Sequence, residues 1–167
     1  MATPTTLPAS FSAGAVLTAS QLNNMRGAFR ILQIVSATRS TLFTSSSTTY
    51  TDVTTMTATI TPSATSSQVL VWFTTAGVGA NGTADVLGRL LRGASSICET
   101  AFVAGVIAGN NESRPTTVFY LDSPATTSAT TYKLQARTTS ANAFSIGGRY
   151  DGSYTGVSSF MVMEVSA

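Results

Sequence analysis

The sequence predicts a mainly β protein, a jelly-roll-like antiparallel sandwich preceded by an N-terminal arm and one short helix. Three observations carry this expectation. Short apolar stretches recur along the chain, separated by Gly, Pro, Asn and Ser clusters. Several of those stretches alternate apolar and polar residues with a period of two, the period of a strand. Ser and Thr make up roughly three residues in ten, while charged residues are 10%, against about a quarter in ordinary domains. Thr suits strands because its branched Cβ fits a pleated surface. Ser suits turns because its hydroxyl bonds the nearby backbone.

Taken in order, residues 1–30 differ from the rest of the chain. "MATPTTLPASFSAGAV" carries two prolines and no charge. Next, Thr18-Ala19-Ser20-Gln21 has the form of a capping box, in which a hydroxyl and an amide satisfy free N–H groups at a helix start. Leu22, Met25 and Phe29 then share one helical face. A helix of about a dozen residues is marginal in water and has to pack on something. The chain therefore divides into an arm with a helix (1–30) and a β-module (31–167).

From residue 31 the strand signals are "ILQIVSATR", "TYTDVT", "TMTATITP", "QVLVWFTTAG", "ADVLGRLLRG", "SSICET", "TTVFYLDS", "TTYKLQAR", "AFSIGG" and "SSFMVMEVSA". In "TYKLQAR", Tyr132, Leu134 and Ala136 fall on one face and Lys133, Gln135 and Arg137 on the other, as in a half-buried strand. Other strands are apolar on both faces. Val69, Val71 and Phe73 oppose Leu70 and Trp72. Phe160 and Val162 oppose Met161, Met163 and Val165. Val118 and Tyr120 oppose Phe119 and Leu121. A sandwich covers only one face of each sheet, so these strands need a second cover. Loops or the helix of the same chain are one source of it and a neighbouring copy is the other; the second is favoured, and Leu70, Trp72, Met161 and Met163 are the expected subunit-interface residues.

The chemistry is sparse. The chain has no His, the commonest general base and metal ligand. Its seven acids are scattered and read as solvated or turn-forming groups, so neither a catalytic residue nor a metal site nor a cofactor is expected. Cys98, the lone cysteine, reads as a small buried hydrophobe. "GVGANG" (77–82) fits a dinucleotide-binding glycine pattern, but a strand-like stretch follows it where a helix is required, so it reads as a Gly/Asn hairpin loop. The cations are dispersed, without the clustering a nucleic-acid surface needs. The longest apolar run, "FVAGVIAG", is far shorter than the roughly 20 residues of a membrane span.

The phrases "ILQIVSATRSTLFTSSSTTYTDVTTMTATITPSATSSQVLVWFTTAGVG", "GRLLRG", "FYLDSPATTSATTYKLQAR" and "FMVMEVSA" together resemble small structural proteins of tailed bacteriophages, whose related modules also occur in tail fibres. "AGAVLTASQLNNMRGA" (13–28) is similar to the N-terminal part of such proteins. The resemblance implies a jelly-roll-like homotrimer on a virion. With neither heptads nor repeats for a long shaft, a capsid-decorating cement or head-fibre protein is expected, located on the capsid surface rather than the tail. Its arm, through Leu7, Phe11, Val16, Leu22, Met25 and Phe29, would dock on the major capsid protein or another virion protein. The alternative is a tail-associated receptor-binding module that recognises host surface glycan. A depolymerase is the least favoured reading, because the acids are scattered and His is absent.

Overall fold

The strand order itself defines the architecture. The computed structural model describes residues 14, 16, 31–103 and 112–166. They form ten strands: β1 (Ile31–Arg39), β2 (Phe43–Ser45), β3 (Thr51–Ile60), β4 (Gln68–Ala80), β5 (Val86–Arg92), β6 (Ser95–Val103), β7 (Arg114–Asp122), β8 (Thr130–Thr138), β9 (Phe144–Ile146) and β10 (Ser158–Val165). Sheet A runs β1-β10-β4, with β7 on the far side of β4, and sheet B runs β3-β8-β5-β6. The short pair β2 and β9 extends sheet A beside the end of β4. Setting that pair aside, the eight remaining strands interleave as 1-8-3-6 and 2-7-4-5 in chain order. This is the order of a double Greek-key jelly roll, and all pairings are antiparallel.

The core lies between the sheets. Val69, Val71, Phe73, Phe160 and Val162 of sheet A face Met56, Ala58, Ile60, Leu90, Tyr132, Leu134 and Ala136 of sheet B. These are the positions that the period-two pattern assigns to one face. Phe73 stacks on Phe160 and meets Phe102 edge-on, with ring centroids 6.4 and 5.7 Å apart. Gly88 lies under the Phe102 ring, where a Cβ would come within 1.9 Å of it, so β5 can pass beneath the ring only as glycine.

Three local expectations need correction. "TYTDVT" and "TMTATITP" form one strand, β3, interrupted between Asp52 and Thr57, with Thr55 at φ 71°. A β-branched residue in the left-handed region is not suggested by composition. "GVGANG" is no hairpin loop, because β4 and β5 lie in different sheets. Gly77 and Gly79 close β4, and Gly82 (φ 94°) turns the chain across to sheet B. The strand signals also omitted β2.

The Ser and Thr residues take both expected roles. Thr59 bonds Thr131 across sheet B (2.8 Å), and Thr74 bonds Thr117 across sheet A (2.9 Å). In the connection before β8, Ser128 N–H donates to the Thr126 hydroxyl (3.0 Å). The helix and arm expected over 1–30 fall outside the described residues, apart from Gly14 and Val16.

Candidate functional site: the outer face of sheet A

The residues singled out as a subunit interface sit together. β10 pairs β4 so that Met163 lies opposite Leu70 and Met161 opposite Trp72. The neighbouring strands lengthen both rows. Ile34 of β1 lies opposite Met163, and Leu121 of β7 opposite Leu70. Ser36 lies opposite Met161, and Phe119 opposite Trp72. Two rows thus cross the sheet, Ile34–Met163–Leu70–Leu121 and Ser36–Met161–Trp72–Phe119. A third, Thr38–Ser159–Thr74–Thr117, is all hydroxyl.

No position in the three rows is charged. Trp72 stacks on Phe119, with ring centroids 5.5 Å apart and planes at 20°. The indole N–H of Trp72 is covered and meets no acceptor among the described residues. The central residues are half-buried by their neighbours. The ends of the rows, on edge strands β1 and β7, are open: Ile34 is 55% exposed, Phe119 62% and Leu121 50%. Sequence parity had placed Phe119 and Leu121 on an unpartnered face. It could not place Ile34 beside Met163, because that needs the β1–β10 register. Of the six arm residues expected to anchor, only Val16 is described, and it is exposed. Leu7, Phe11, Leu22, Met25 and Phe29 lie outside the described residues.

The outer face of sheet B is different in kind. In one row Asp52 lies opposite Gln135, Gln135 opposite Arg89, and Arg89 opposite Glu99. Lys133 Nζ and Gln135 Nε2 both donate to Asp52, and Arg89 Nε donates to Gln135 Oε1. The bonds from Gln135 and then Lys133 hold the Asp52 carboxyl below its ordinary range. The guanidinium carbons of Arg89 and Arg137 lie 4.2 and 5.2 Å from the Tyr50 ring centroid.

Two acids are buried rather than solvated, contrary to expectation. Asp122 at the end of β7 accepts from Tyr132 Oη (2.6 Å) and Arg92 Nη1 (2.9 Å), tying sheet A to two strands of sheet B. Burial, reinforced by the bond to Asp122, pushes the Tyr132 phenol well above its ordinary value. Glu164 of β10 is 1% exposed and accepts from Ser63 N–H (2.7 Å), Ser63 Oγ (2.6 Å) and Gln33 Nε2 (2.7 Å). Burial alone would raise its pKa. The hydrogen bonds from Ser63, Gln33 and Ser67 outweigh burial and bring it down to about 2. Parity carried the signal for both: Asp122 follows Val118 and Tyr120, and Glu164 follows Phe160 and Val162, all on the core side.

Cys98 packs against the core beside its cross-strand neighbour Leu90, and burial, with Glu99, pushes its thiol up. Among the described residues, no three His, Cys, Asp or Glu side chains are grouped to hold a metal. Among the same residues, no helix is long and apolar enough to cross a membrane.

No protein-family model matches the chain, and no curated protein matches it significantly. Among solved structures it is similar to the VP2 subviral particle of infectious bursal disease virus, at 14% identity and a TM-score of 0.39, over 80% of this chain and 40% of that one. It is also similar to a structure of the Gx strain of that virus, at 15% identity and a TM-score of 0.41, over 81% of this chain and 40% of that one. The chain spans about two-fifths of the length of these neighbours. Likenesses at such TM-scores carry no argument about role, and the jelly-roll assignment rests on the strand order.

Proposed function

We propose that the chain is a non-enzymatic structural protein of a tailed-bacteriophage virion, a homotrimer that decorates the capsid. In this reading residues 1–30 anchor it to the shell and residues 31–167 form the projecting module. The observation that carries the reading is the charge-free outer face of sheet A, with its two apolar rows. Monomeric soluble proteins rarely leave such a patch open, whereas a module that works as an assembly keeps one to build with. The sequence resemblance to virion structural proteins supports the setting, and the jelly roll is compatible with it. Fold alone does not name a function.

The arm is expected to hold the shell through apolar contacts and hydrogen bonds, because Arg26 and Arg30 are its only charges. A ligand that binds only the assembled shell stabilises it by mass action.

Quantifying this chain against the major capsid protein in purified virions tests the reading. Decoration predicts many copies per particle, retained in molar salt because screening acts on exposed charges. A few copies per particle would move the protein to the tail, as a receptor-binding module. Removal of residues 1–30 should leave a folded β-module that no longer binds particles, and wild-type occupancy by the truncated chain would refute the anchor.

A further inference from the structure

Resting on the trimer reading above, we propose that the outer face of sheet A packs against the same face of its sister copies around the threefold axis. Ile34, Leu70, Trp72, Phe119, Leu121 and Met161 would form the dry centre. The occupant is a second copy of this chain because of the charge pattern. Around a rotation axis, residues near the axis approach their own counterparts. A charge there would meet its like, which costs several kcal/mol. Apolar and hydroxyl side chains carry no such penalty. The three rows across β1, β10, β4 and β7 contain only these two kinds, over the full width of the four-stranded sheet.

The other outer face fails the same requirement. Its row Asp52–Gln135–Arg89–Glu99 carries charges of both signs, and Asp52, Gln135 and Arg89 are already joined to each other. A foreign protein partner would be selected by complementary charges at its rim, and sheet A offers none in these rows. The exposure gradient fits as well. β4 and β10, at the middle of the sheet, are half-covered by their neighbours. The edge residues Ile34, Phe119 and Leu121 stay open, where sister subunits flanking the sheet would cover them.

The test uses the full chain with Phe119→Asp and, separately, Ile34→Asp. Both side chains are more than half exposed in the protomer, so aspartate there leaves the fold intact. In the trimer, either would bury an unpaired charge against the apolar face of a flanking sister copy. Sedimentation equilibrium with circular dichroism should find a trimeric wild type. The variants should be folded monomers, with the concentration for half-assembly raised about a hundredfold or more. Lys133→Ala, on sheet B, should remain trimeric. Should Phe119→Asp precipitate, Ile34→Asp decides. Persistence of the trimer in the soluble Asp variants would overturn the face assignment alone. A monomeric wild type would overturn the trimer itself, and particle copy number would still read the virion role separately.

Discussion

The two sheets share one core but turn opposite chemistries to the outside. On sheet A the row Ser36–Met161–Trp72–Phe119 is apolar except for one hydroxyl. On sheet B the corresponding row is Asp52–Gln135–Arg89–Glu99. Both faces are made by the same device, alternation along a strand, so the difference lies in what each face must meet. Sheet B satisfies itself: its carboxylate, amide and guanidinium groups bond one another, and water can do the rest. Two of the three rows on sheet A have almost nothing comparable to offer water, and the third carries only hydroxyls. The cost of exposing the apolar rows is removed only by another apolar surface, at roughly 25 cal/mol per Å² covered. One sheet is finished as a surface; the other, in the reading proposed above, is covered by sister copies.

The largest expected effect is on the tie that holds the two sheets together. Asp122→Ala strands the buried Tyr132 hydroxyl and frees Arg92 from its carboxylate. It should cost about 3 kcal/mol and lower the melting temperature by about 10 °C in calorimetry. Both faces should loosen together, seen as faster amide exchange in β7 and β8 alike. A loss confined to one sheet would mean the tie is ornamental.

Glu164 gives a smaller effect with a defined pH window. Its folded pKa of about 2 lies below the ordinary 4.5, so it contributes stability that is present in full above about pH 4.5. That contribution is lost as the pH falls toward about 2. Glu164→Gln should be less stable than wild type at pH 7 by about 1–3 kcal/mol in urea titrations, and the gap should close on acidification. A gap that stays constant with pH would show that packing, not charge, sets the role of Glu164.

On sheet B the effects should be smallest. Lys133→Ala removes an ion pair that is open to solvent on the Asp52 side, and should cost less than about 1 kcal/mol without altering assembly. Its denaturation midpoint should lie close to that of wild type, and nearer still in high salt.

Much of this contrast was legible in the sequence. Parity alone separated Tyr132, Leu134 and Ala136 from Lys133, Gln135 and Arg137, and it identified β4, β7 and β10 as apolar on both sides. It also held the burial of Asp122 and Glu164, although the acids were expected at the surface. Their partners come from β5 and β8 and from Ser63 and Gln33, between 10 and 131 residues away in sequence. That Ile34 joins the apolar face was not legible, because cross-strand register is a tertiary fact. Neither was β2, three residues in a Ser/Thr-rich stretch that pair only with an equally short strand. Thr55 was hidden for a different reason: its positive φ is imposed by the bulge and is not preferred by the residue.

The chain has one tryptophan, and it sits in the middle of the face in question. Trp72 emission and its quenching by acrylamide, measured across a dilution series, therefore read the central claim directly. If sister copies cover sheet A, dilution through dissociation should shift the emission to the red and raise quenching in step with the fall in mass. Emission and quenching that stay constant while the assembly dissociates would contradict the account, because the copies would then meet elsewhere.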